Sequence, residues 1–165
     1  MKLIIASLII FSLVILFLFA LFPSDISVSR MVQIRSSRKQ VSKKIADLRE
    51  WRTWNDLLPN ESSIVASQSD RTDSDNISRG GVYIELLKSG GDTLITRWRN
   101  GSKSFTGNYI LSEMNGQVIL EWSLHFHLHW YPWEKLASMF YDKQLGPLME
   151  NSLQKLKKEL ESEKG

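Results

Sequence analysis

Apolar and polar residues alternate strictly from Gln117 to Trp130. Leu120, Trp122, Leu124, Phe126, Leu128 and Trp130 share one side, and Glu121, Ser123, His125, His127 and His129 the other. Side chains of a strand point to opposite faces with period two, so this run predicts a half-buried strand whose apolar face needs a cover. The next periodicity supplies one. After Pro132, the positions Leu136, Met139 and Phe140, then Leu145, Met149, Leu153, Leu156 and Leu160, recur mostly at three- and four-residue steps, as on an amphipathic helix. Proline suits a first helical turn and glycine can end the segment before it, so Gly146-Pro147 predicts a break or kink. The expectation is a short helix over Trp133–Asp142 and a main helix running to Glu161.

Upstream, Val82–Lys88, Thr93–Arg99 and Ser104–Met114 are further strand-like runs, separated from one another and from Gln117 by Ser89-Gly90-Gly91, Asn100-Gly101 and Asn115-Gly116. Asn-Gly supplies the positive φ angles of a type I′ hairpin turn, so the four runs predict an antiparallel meander. Its inward residues are expected to be Leu94, Thr96 and Trp98, then Phe105, Gly107, Tyr109 and Leu111. Earlier still, Ile26, Val28, Val32 and Ile34 define a strand face broken by Arg30. A helix over Ser36–Leu48 turns Val41, Ile45 and Leu48 inward and Arg38, Lys39, Lys43 and Lys44 outward. That basic face is either solvated or set against anionic headgroups. A second short helix, Leu48–Trp54, is closed by Pro59. Ile64–Ser69 reads as a weak strand and Gln68–Ser78 as loop.

The N-terminus departs from this globular pattern. Leu3 to Phe22 is apolar except for Ser7 and Ser12, and as a helix it would reach about 30 Å, the thickness of a bilayer's hydrocarbon core. A secretory signal is the competing reading, but the run exceeds the usual apolar length and no A-x-A-like cleavage site follows. We therefore expect a single-pass transmembrane anchor over residues 1–23 and one domain over 24–162, with the lipid bilayer as a partner. Charge counting places Arg30, Arg35, Arg38 and Lys39 on the cytoplasmic side. These residues belong to folded elements, where translocation responds less to charge, so the sequence leaves the side of the membrane open. Net charge is +3 with acids and bases interspersed, which argues against a nucleic-acid partner. With no cysteine, disulfides, thiolate metal sites and a cysteine nucleophile are excluded.

Strand, two short helices, antiparallel sheet and long C-terminal helix, in that order, resemble the helix-grip fold of the START-like (SRPBCC) superfamily, which includes polyketide cyclase/dehydrase and lipid-transport families. Three segments carry the likeness. Pro23-Ser24-Asp25-Ile26-Ser27-Val28-Ser29-Arg30, directly after the apolar run, resembles the start of the first strand in membrane-anchored bacterial members. Asp47-Leu48-Arg49-Glu50-Trp51-Arg52-Thr53-Trp54 resembles their D-L-x-x-W-x-x-W helix pair. Tyr141 to Lys157 resembles their terminal helix. Two departures stand out: no Gly- and Trp-containing strand pair precedes Gly80-Gly81, and Ser152 stands where relatives often carry Gly. The resemblance implies an α+β helix-grip fold, a curved antiparallel sheet wrapped around a long C-terminal helix, preceded by one transmembrane helix. It also implies a small hydrophobic or amphipathic ligand between sheet and terminal helix. We expect no cofactor.

Expected lining residues of that space are Trp98, Tyr109, Trp122, Leu124, Phe126, Met139 and Phe140. Trp51 and Trp54 are assigned to packing the helix pair onto the sheet. Catalytic signatures are absent: the sequence has no G-x-S-x-G, P-loop, dinucleotide fingerprint or H-E-x-x-H. A cyclase- or hydrolase-type enzyme using the same space and a non-catalytic scaffold with a filled core remain the alternatives. His125 and His127 are close enough on one strand to chelate a metal, about 6.5–7 Å apart at Cα. Their parity opposite Trp122, Leu124 and Phe126 places them on the outer face, so we expect exposed cross-strand partners, with a weak metal pair as the alternative.

Overall fold

The computed structural model describes residues 2–20, 23–58, 82–101 and 103–162. The expected closure at Pro59, the weak strand Ile64–Ser69 and the loop Gln68–Ser78 lie outside them. The elements are α1 (Lys2–Ala20), β1 (Asp25–Ile34), α2 (Arg38–Ala46), α3 (Trp51–Trp54), β2 (Val82–Gly90), β3 (Thr93–Asn100), β4 (Lys103–Met114), β5 (Gln117–His127), α4 (Pro132–Ser138) and α5 (Tyr141–Ser162). The strands form one antiparallel sheet in the order β1-β5-β4-β3-β2. The meander accounts for four of them, and β1 closes onto β5 with Val28 opposite Leu124 and Val32 opposite Leu120. An α+β sheet with a long C-terminal helix, the helix-grip arrangement, follows.

The inner faces carry the core. Val28, Val32 and Ile34 of β1, Leu94, Thr96 and Trp98 of β3, Tyr109 and Leu111 of β4, and Leu120, Trp122 and Leu124 of β5 are all buried. Period-two alternation therefore reads the inner face of the meander correctly. It overruns at the end: β5 stops at His127, and one further in-register bond, from the Leu128 N–H to Ser24 O at 2.7 Å, closes the pairing with β1. Leu128 is still buried, but Trp130 is exposed. Of the two Asn-Gly turns, one is as expected and one is framed differently. Asn115 and Gly116 both have positive φ, as a type I′ turn requires. Asn100, however, pairs with Lys103 and is the last ladder residue, and it is Gly101 that takes the positive φ. In β2 the register slips between Leu86 and Lys88, so Leu87 is a bulge residue, turned to solvent.

α5 is continuous through Pro147, so of the break or kink expected at Gly146-Pro147 the break is corrected. Proline removes one intrahelical bond there, but the buried stripe of Gly146, Met149, Ser152, Leu153, Leu156 and Leu160 runs across it. Packing both halves against β1 and α3 outweighs the missing bond. Gly146 has a separate reason: a Cβ there would meet the Arg30 guanidinium, 2.1 Å from Nη2. Arg30 is the polar exception on the inner face of β1, and it reaches across this glycine to Asp142 in the first turn of α5 at 2.9 Å.

α2 begins with a capping box between Ser37 and Gln40 and buries Val41 and Ile45. Two of its four outward cations are held by carboxylates. Arg38 meets Asp92 at 2.5 Å, and Lys44 meets Glu50 at 2.9 Å and Glu159 at 3.2 Å. The Glu50 hydrogen bond, partly countered by desolvation, raises the Lys44 ammonium above its ordinary pKa.

α1 is a helix of 19 residues. Side chains are described for residues 3–17, all exposed, which is about 22 Å of helix. Among the described residues no helix is long and apolar enough to cross a membrane. The expected transmembrane span is to that extent unsupported, since it needs the residues on either side of this stretch.

Candidate functional site

The two tryptophans of α3 pack on the inner face of β3, β4 and β5. Spacing of three residues puts Trp51 and Trp54 on one side of their short helix. Trp51 lies 5.7 Å from Trp98 and 5.3 Å from Tyr109, centroid to centroid, and Trp54 lies 6.1 Å from Trp122. Tyr109 and Trp122, cross-strand partners, stack at 5.3 Å and 16°. From Trp98 a further ring series runs to the rim: Phe105 at 5.5 Å, Phe126 at 4.8 Å from Phe105, and Tyr141 at 5.0 Å from Phe126.

Polar atoms divide this layer in two. On one side they are paired. Trp51 Nε1–H donates to Ile45 O at 2.8 Å. Trp98 Nε1–H donates to Thr96 Oγ1 at 3.0 Å, and that hydroxyl donates to Gly107 O at 3.1 Å. Gly107 makes room for this chain: a Cβ there would stand 2.8 Å from Thr96 Oγ1 and 2.9 Å from Trp98 Nε1. On the other side, Trp54 Nε1, Asn55 Nδ2, Tyr109 Oη and Trp122 Nε1 are buried and have no hydrogen-bond partner among the described residues. Burial pushes the Tyr109 phenol well above its ordinary pKa. The Trp122 indole counters this in part, although the two groups do not meet hydrogen-bond geometry.

Of the expected lining residues, Trp98, Tyr109, Trp122 and Leu124 are buried in or beside this layer, and Phe126 is half-buried at its rim. Met139 and Phe140 are exposed, because the chain between α4 and α5 turns them outward, and they do not line the interior. Trp54 and Asn55 belong to the polar side and were expected only as packing or not at all. The signal available was the W-x-x-W spacing together with an amide next to it. Ser152, the departure from Gly, accepts the Asp56 N–H at 2.8 Å and so fastens the exit of α3 to α5.

On the outer face a shallow depression of about 360 Å³ is lined by Asp25, Ile26, Ser27, Thr106, His125, Phe126 and His127. His125 Nε2 lies 3.1 Å from Ser123 Oγ, and His127 Nδ1 lies 2.7 Å from Asp25 Oδ1. Both histidines thus face outward and engage neighbouring side chains. Among the described residues no three His, Asp or Glu side chains gather to hold a metal ion.

The chain matches no protein-family model and no curated protein. Solved structures do share its fold. StfQ, a di-domain ARO/CYC from the steffimycin biosynthetic pathway, superposes with a TM-score of 0.63 at 13% identity, over 86% of this chain and 52% of StfQ. A START superfamily protein from Mycobacterium smegmatis gives 0.54 at 14% identity, over 82% and 97%. DynU16, from the dynemicin biosynthetic locus, gives 0.53 at 16% identity, over 82% and 47%. This chain therefore spans about half the length of StfQ and DynU16. At these identities the likeness establishes the fold that the chain shares with these structures.

Proposed function

We propose that this chain is a membrane-anchored START-like domain that binds a small amphipathic molecule, flat enough to lie among aromatic rings and carrying acceptor oxygens. The observation behind this is the set Trp54 Nε1, Tyr109 Oη and Trp122 Nε1, unpaired among the described residues and buried on adjoining rings of one layer. Each unsatisfied buried group costs about 1–3 kcal/mol, and a purely structural core has nothing to offset that. Indole N–H groups only donate, so they select for carbonyl, ether or carboxylate oxygens. Binding suits this face better than catalysis, because among the described residues no carboxylate or imidazole is buried, and a pocket needs only an apolar lining with a few placed polar groups.

A filled, non-catalytic core is the second reading. It is favoured by the ring contacts of 5–6 Å among fully buried side chains. Native mass spectrometry of the full chain in mild detergent separates the two. The binding reading expects a small molecule retained by wild type and by Thr96→Val, and lost in Tyr109→Phe and Trp122→Phe, which keep a ring but remove the polar atom. Ligand-free wild type, with both ring-preserving variants as stable as it, would establish the filled core.

The anchor is α1. Its backbone is helical over Lys2–Ala20, with Lys2 as its only charge, and its described side chains are all exposed. Resistance to carbonate extraction tests it. Release with the soluble fraction would remove the anchor from the account while leaving the ligand reading intact.

A further inference from the structure

The connection from β5 to α5 exposes a run of large apolar side chains that no other part of the described chain covers. Trp130 is 69% exposed, Trp133 65%, Met139 62%, Phe140 55% and Leu136 49%. The tryptophans are not loose. Trp130 packs on Tyr131 at 5.1 Å, and Tyr131 stacks on Trp133 at 4.8 Å and 10°. No charged side chain projects freely from the run. Lys135 is buried and engaged, and Glu134 turns back to accept the His129 N–H at 2.8 Å.

Its position matters as much as its composition. α1 touches α4, and Leu128, just before the run, is bonded to Ser24, just after α1. Ala20 and Asp25 are five peptide steps apart, which spans at most about 17–18 Å. If α1 lies in a bilayer, the aromatic run cannot be far from its surface. Tyrosine and tryptophan concentrate at membrane–water interfaces, where the ring enters the acyl boundary and the N–H or O–H stays hydrated.

We propose that the Trp130–Phe140 segment is a second membrane contact: it lies in the interfacial layer of the bilayer that holds α1 and sets the orientation of the domain on it. This rests on the anchor reading of α1 and is independent of the ligand. A free, mobile domain on a short leash would need no such surface, and water would face five large apolar groups with no return.

The test uses the chain's own fluorescence. Of its six tryptophans, Trp51, Trp54, Trp98 and Trp122 are buried, whereas Trp130 and Trp133 are exposed. Full-length protein is reconstituted into phosphatidylcholine vesicles containing a lipid brominated high on its acyl chain, and both flotation and quenching are read. The proposal expects flotation with strong quenching, most of which is lost in Trp130→Phe/Trp133→Phe while flotation persists. Flotation with equal quenching in wild type and variant would overturn it and leave the anchor standing. Protein that does not float would overturn both. Vesicle-bound protein that is unquenched but crosslinks to a second copy through this segment would assign the surface to protein contact instead. Far-UV circular dichroism confirms that the variant is folded, as expected for two exposed positions.

Discussion

The two sides of the aromatic layer use the same residue types at the same depth and differ only in whether their polar atoms are paired. Trp51 and Trp98 sit under complete accounting: one indole on a backbone carbonyl, the other on a threonine that passes the bond to the sheet. Trp54, Tyr109 and Trp122 are as deeply buried and have no such partners among the described residues. Apolar burial stabilises both sides alike at about 25 cal/mol per Å². The second side carries an additional cost, and a fold selected only for stability would have removed it with phenylalanine. On the proposed reading, the first side is structural and the second is where a ligand would be recognised.

Replacing a ring on each side should separate them most widely. Trp98→Ala is expected to cost about 3–5 kcal/mol, as a buried aromatic truncation in a packed core does, without changing what co-purifies. Trp122→Ala should cost less and abolish ligand retention. Urea denaturation of both variants, with mass spectrometry of the folded fractions, checks this, and equal losses would erase the distinction.

A smaller effect should follow from breaking the paired side without removing a ring. Thr96→Val keeps the volume but leaves the Trp98 indole unsatisfied, which should cost about 1–3 kcal/mol. In denaturant the midpoint should fall with an unchanged slope. A neutral outcome would mean that pairing on this side is incidental.

The smallest is a pH effect. The folded-state pKa values of Tyr109 and Lys44 are both raised, by burial and by the Glu50 hydrogen bond respectively. Such groups hold their protons more firmly when folded, so their contribution is complete below the unfolded values of about 10 and 10.4 and is lost as pH rises beyond them. Stability should therefore fall above about pH 10, and Tyr109→Phe should flatten part of that fall. Equilibrium unfolding across alkaline pH, followed by tyrosinate absorbance, measures it.

How much of this was legible depends on how local each determinant is. The inner residues of the meander follow from alternation, because parity is a property of the strand itself. Alternation continues through Trp130 although the strand ends at His127, since the length of the pairing is set by where β1 begins, about a hundred residues away. The continuity of α5 through Pro147 depends on β1 and α3, which no window around the proline contains. Trp51 and Trp54 were readable as packing residues. That they pack onto the inner face of the sheet, and that one indole is paired while the other is not, is decided by Ile45 O and by the stacked Tyr109–Trp122 pair. Met139 and Phe140 fit a helical stripe by spacing, but the turn between α4 and α5 reverses their facing.

The claim that the unpaired side is a recognition surface is tested most directly by the thermal stability of Tyr109→Phe against wild type, measured twice. The first melt uses protein as purified, and the second uses protein unfolded, stripped of small molecules and refolded in detergent. The account predicts a crossover. As purified, the variant melts below wild type because it has lost its ligand. After stripping, it melts at or above wild type, because the phenylalanine has removed an unsatisfied hydroxyl. A variant that equals or exceeds wild type in both melts would contradict the account and leave the aromatic layer as a filled core.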